Sequence, residues 1–223
     1  MINRTSRIVW LVYQSGMGGD QLYWLLNNTG NFAWYRNAWS RLTDSGKRLT
    51  EDLFNFRFQC NDLQGRSIKD INQPQDLLDT ANQCVHEPDR VNDWNRDVLI
   101  KMHYYCDQQH LQSIAPGSKT IYLMSSSKSY REYLQKAQVK NQEFSWFPDE
   151  YSDEAFCGFE QSCLDMEQKF STAHAIDVDR LFQNDNTVWQ SLKNYLNLQC
   201  SVDEMSQKHS DWTVKQTKAM DLR

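Results

Sequence analysis

This sequence has no basic excess, no paired cysteines and no long apolar run. With 24 Lys and Arg against 29 Asp and Glu, it carries a net charge of -5 at pH 7. That leaves no positive footprint for a phosphate backbone, so nucleic acid is not expected as a main partner. Cys60, Cys84, Cys106, Cys157, Cys163 and Cys200 form no CxxC pair, which argues against the common zinc frameworks. A disulfide-stapled secreted scaffold would be shorter and denser in cysteine than this chain of 223 residues. Reduced, mostly buried thiols are the reading that remains. No stretch approaches membrane-spanning length. Arg4 and Arg7 precede an apolar run, Ile8 to Tyr13, that is too short for a signal-peptide core. A cytoplasmic protein without a membrane partner is expected, and the histidines show no metal-ligand spacing.

What is present is an ordered alternation of strands and helices. Ile8 to Tyr13 is continuously apolar, the pattern of a strand buried on both faces. Asp97 to His103 and Lys119 to Met124 are further strand candidates, the latter launched by the turn Pro116-Gly117. Weaker candidates are Ala173 to Val178 and Phe54 to Phe58. Leu22, Leu25 and Leu26 recur at helical spacing from Asp20, and Asn27 to Gly30 stops that helix. Helices are also expected over roughly 35–45, 73–84, 129–140, 150–168, 186–197 and 202–220. Such alternation predicts an α/β fold, a three-layer sandwich with helices on both faces of a central parallel sheet. With no internal repeat or linker, residues 1–223 read as a single domain.

Glycine is scarce, yet three of the 8 glycines, at positions 16, 18 and 19, directly follow the strongest strand. A P-loop-like strand–glycine loop–helix unit aims backbone N–H groups and a helix dipole at one point, which makes a phosphate cradle. The same glycines equally suit a tight strand-to-helix turn that needs positive φ. No lysine completes a Walker motif after Gly16, and Gly16-Met17-Gly18-Gly19-Asp20-Gln21 lacks the third glycine of a dinucleotide fingerprint. His103 ends a strand at the edge where parallel sheets place their ligands, with Lys101 two residues earlier on the same side. Those positions suit a general base with electrostatic support. They also suit a hydrogen-bonded histidine and an ordinary lysine at a strand end.

Four segments, in order, resemble the sulfotransferase family. Tyr13-Gln14-Ser15-Gly16-Met17-Gly18-Gly19 stands at the place of that family's P-K-[ST]-G-T-T-W-L loop. Lys101-Met102-His103 looks like its K-[TS]-H strand end, and Lys119 to Lys128 is similar to its K-x-I-Y-[LV]-x-R-[ND]-P-[RK]-D segment. His174 to Gln199 resembles its C-terminal strand and helix, with Asp177, Leu181, Leu192, Tyr195, Leu196 and Leu198 at the matching positions.

The resemblance implies transfer of a sulfuryl group from the donor PAPS (3′-phosphoadenosine-5′-phosphosulfate) to a hydroxyl or amine acceptor, without a metal. It implies His103 as base and Lys101 as electrostatic support. Gln14, Ser15, Gly16, Met17, Gly18 and Gly19 would seat the 5′-phosphate; Ser125, Ser127 and Lys128 would face the 3′-phosphate. The chain departs from the pattern at two charges. Gln14 replaces the loop lysine, and Ser125 replaces the arginine that grips the 3′-phosphate; Tyr133 sits near the usual serine. Lys128 and Arg131 lie within the next turn of chain and could partly compensate. These losses keep a second reading open: a binding protein that retains the fold without the chemistry.

Overall fold

The computed structural model describes residues 2–13, 18–33, 57–58, 68, 71–83, 93–103, 106–124, 161 and 164–221. Within them, six parallel strands form one sheet: β1 (Ile8–Tyr13), β2 (Phe32–Ala33), β3 (Arg57–Phe58), β4 (Asp97–His103), β5 (Lys119–Met124) and β6 (His174–Asp177). The order is β2-β4-β1-β5-β6, with β3 also paired to β4. β2 and β3 follow one another along the outer edge of β4, opposite Asp97–Val98 and Lys101–Met102 respectively. The described helices are α1 (Gly19–Asn27), α2 (Pro74–Gln83), α3 (Gln108–Ile114), α4 (Val178–Phe182), α5 (Asn186–Leu196) and α6 (Val202–Asp221). Residues 164–169 are helical too. The helices expected over 35–45 and 129–140 lie outside the described residues, as does most of 150–168.

The unbroken apolar run of β1 has a direct cause. The strand is central and all six of its residues are buried, so neither face can be polar. Period-two alternation sends Ile8, Trp10 and Val12 to one layer, with Leu77 of α2, Leu111 and Ile114 of α3, Met166 and Phe170. Val9, Leu11 and Tyr13 go to the other, with Leu22 and Leu26 of α1, Trp189 and Leu192 of α5, and Met205 of α6. This is the three-layer sandwich. The two fully buried indoles among the described residues each have a partner for the N–H: Trp10 Nε1 donates to Ser118 Oγ at 3.1 Å, and Trp189 Nε1 to Asn184 Oδ1 at 2.8 Å.

The C-terminal segment acts as a clamp. Asp177 caps α4, its side chain accepting from the amides of Asp179 and Arg180. Leu181, Leu192, Leu196 and Leu198 enter the second core layer. Tyr195 of α5 closes the clamp: its hydroxyl accepts from Thr120 N at 3.1 Å and donates to Thr120 O at 3.2 Å, anchoring the helix to β5. Its ring stacks on His174 of β6, with centroids 4.3 Å apart.

One buried histidine makes the fold sensitive to acid. His209 of α6 is 3% exposed, its ring lies 5.6 Å from Trp189, and its Nε2 has no hydrogen-bond partner among the described residues. Burial lowers its pKa. The unfolded chain therefore takes up this proton first. The stability tied to the neutral ring is complete above the unfolded value, about 6.5, and is lost as pH falls toward the folded one. His174, also lowered by burial, acts in the same sense. Chemical denaturation should show stability falling from about pH 7.5 to about pH 5.5, with a shallower fall in His209→Leu. Equal slopes for the two proteins would remove His209 from this account.

Candidate functional site

The topology singles out one edge. After β1 the chain passes to α1, in the layer of Leu11 and Tyr13; after β4 it passes to α3, in the layer of Trp10 and Val12. Neighbouring strands whose connections leave to opposite faces open a crevice at their C-terminal ends, and that is where open α/β sheets place ligands. The residues at this point are the last of each strand, Tyr13 and His103, which are partners in the parallel register. The strand that leads into the glycine turn and the strand-end histidine, far apart in sequence, thus finish at one edge.

The two described glycines of the turn have separate reasons. Gly18 is left-handed at φ +70°, and a Cβ there would stand 2.4 Å from Phe182 Cζ. Gly19 begins α1 and is covered by Tyr13; a Cβ would lie 2.3 Å from that ring. One aromatic ring from the strand end and another from the end of α4 therefore close on bare backbone. Gly18 caps α1 without a side chain, and the first helical bond runs from Leu22 N to Gly18 O at 3.1 Å. By helix geometry, the amides of the first turn then have no acceptor within the helix, and they carry the positive end of its dipole.

Lys101 pairs in register with Leu11 of β1 and Arg57 of β3. It is buried, 6% exposed, and its ammonium lies 5.1 Å from the ring centre of Tyr23 on α1. A cation in that position is held against the aromatic face and sits beneath the helix that follows the glycine turn. Gln14, Ser15, Gly16 and Met17 lie outside the described residues, as do Ser125, Ser127 and Lys128. Among the described residues no group of His, Cys, Asp or Glu could hold a metal ion, and no helix is long and apolar enough to cross a membrane.

Sequence reasoning missed Phe182 and the covering role of Tyr13. Phe182 lies far along the chain from Gly18, and no local pattern announces a contact over that separation. Tyr13 was visible only as the last residue of an apolar strand.

Neither a family model nor a curated protein sequence matches the chain. Solved structures do. Mouse sulfotransferase SULT7A1 complexed with PAP aligns at a TM-score of 0.50 and 11% identity, covering 96% of this chain and 67% of that one. Retinol dehydratase in complex with androsterone and inactive cofactor PAP aligns at a TM-score of 0.49 and 8% identity, covering 98% of this chain and 67% of that one. Parallel strand order, layering and the first of these alignments agree on one conclusion: the chain has the α/β fold of the sulfotransferases.

Proposed function

We propose that this chain, as one domain, transfers a sulfuryl group from PAPS to a hydroxyl or amine acceptor. The observation that carries the reading is the register pair Tyr13–His103. It brings the glycine turn and the strand-end histidine to one sheet edge, in the chain order that the sulfotransferase resemblance requires. The backbone of Gln14 to Gly19 and the start of α1 would hold the donor's 5′-phosphate through N–H groups. Ser125, Ser127 and Lys128, which follow β5, would face the 3′-phosphate.

In the transfer step the acceptor oxygen or nitrogen attacks sulfur in line with the departing phosphate oxygen. The new bond to sulfur forms as the S–O bond to the phosphate breaks, and PAP leaves. His103 takes the acceptor's proton, while Lys101 offsets charge growing on the sulfuryl oxygens. Support for a PAPS-type donor also comes from the PAP bound in the mouse sulfotransferase of the same fold. The buried thiol of Cys200, which forms no disulfide, suits the reducing cytoplasm.

Gln14 and Ser125 favour a second reading, a nucleotide-binding protein without transfer, because neither can supply charge against a polyanionic donor. A transfer assay with sulfur-labelled PAPS over a broad panel of alcohols, phenols, amines and glycans decides between them. Labelled product from at least one acceptor is expected. A purified, folded chain that labels none supports the second reading.

A further inference from the structure

The opposite edge of the sheet holds a cleft that the sulfotransferase reading leaves unused. It is an open cleft of about 350 Å³ among residues at the starts of β2, β4 and β5 and the end of α5. All its lining side chains except Phe32 and Leu196 are polar. We propose that this cleft binds a small neutral polyhydroxylated molecule, one or two sugar rings in size.

The chemistry of the lining selects that class. Lys119 donates to Tyr195 O at 2.8 Å and lies over the Tyr195 ring. Arg96 donates to Gly30 O and pairs with Asp93 at 3.2 Å. Both cations are therefore already engaged by the protein, and an anion entering the cleft would also meet the Asp97 carboxylate. A cationic ligand would meet Lys119 and Arg96 instead. An apolar one would strip water from polar walls without replacing its hydrogen bonds.

The uncommitted capacity is of the other kind. Among the described residues the Asp97 carboxylate accepts no hydrogen bond, although burial raises its pKa against the opposing pull of Arg7 and Lys119. The carboxylate is exposed at the cleft wall, so a ligand's hydroxyls can replace the water that now solvates it. Around it the carboxamides of Asn95 and Asn197 offer both donors and acceptors, and Gln199, whose Nε2 donates to Asn197 O at 3.5 Å, adds its oxygen as an acceptor. Neighbouring hydroxyls, each able to donate and accept, match that set. The volume lies within the range of small-ligand sites.

The test is an amide-resolved NMR titration of the full chain with glucose, N-acetylglucosamine and maltose, and separately with inorganic phosphate. At least one sugar should give saturable shifts centred on Asn31, Asn95, Asp97 and Asn197, with a midpoint on the order of millimolar. Asp97→Ala should weaken that binding at least about tenfold, since the strongest acceptor is gone. Melting curves on the parent and Asp97→Ala establish that both are folded at the titration temperature. Asn95→Ala, at an exposed turn, should weaken binding as well and provides a second variant if the first does not fold. The proposal is overturned if no sugar gives saturable shifts, if binding survives both substitutions unchanged, or if phosphate alone saturates the cleft. No step uses PAPS, so this result is independent of the transfer assay.

Discussion

His103→Ala should lower sulfuryl transfer by about a hundredfold or more while leaving the affinity for PAP nearly unchanged. The reason lies in where the residue stands. It ends β4 opposite Tyr13, at the edge from which β1 and β4 send their chains to opposite faces of the sheet. In the proposed reading a base there would act on the acceptor, whereas the donor would be held by backbone amides across the crevice. Losing the base would then remove an interaction made in the transition state, so kcat should fall with little change in donor binding. Unchanged transfer by the alanine variant would remove His103 from the mechanism. A matched loss of transfer and of PAP affinity would make it a structural residue of the edge. Melting curves on both proteins separate that outcome from simple unfolding.

The second large effect is expected at the glycine turn. Gly18→Val should abolish PAP binding and destabilise the fold by about 1–3 kcal/mol, the range for overpacking a filled site. Two costs combine: a β-branched residue at φ +70°, and a Cβ 2.4 Å from the Phe182 ring. The costs can be separated. In a Phe182→Ala background Gly18→Ala keeps the backbone strain but loses the clash, so part of the stability should return. Gln14→Lys, which restores the charge missing from the loop, should tighten PAP binding. If the parent, Gly18→Val and Gln14→Lys bind PAP equally, the phosphate site is not at this turn.

The legible parts of the fold are those with one dominant local signal. Ile8–Tyr13 announced a strand buried on both faces, and the helix expected over 186–197 is α5, whose Val188, Leu192, Tyr195 and Leu196 face the core. β2 is only two residues long, Phe32–Ala33, too short for any period to register. It exists because β4 offers it an edge. α3 was missed because Gln108–Ile114 is mostly polar and buries only Leu111 and Ile114; the cap, Asp107 accepting from His110 N, was the available clue. The strand candidate Ala173 to Val178 ran one residue into α4, which was not expected; the strand ends at Asp177, which caps that helix.

The candidate site divides in the same way. The glycine turn and His103 were visible as residue types in a suggestive order. Their meeting was not, since it rests on a parallel register between strands that the chain reaches only after β2, β3 and α2. The sequence left two readings of the turn. Gly18 has the positive φ of the tight-turn reading, and that geometry still leaves the first amides of α1 free of helical acceptors. The tight-turn geometry is compatible with a phosphate cradle, and PAP binding is what distinguishes a cradle from a turn alone.

Calorimetric titration of PAP into the full chain tests the central claim most directly, since it asks about the donor site before any acceptor is known. One-to-one saturable binding, abolished in Gly18→Val and tightened in Gln14→Lys, is the predicted result. Absence of any binding heat, with nuclear magnetic resonance likewise showing no shift at Gly18, Gly19 or His103, would contradict it.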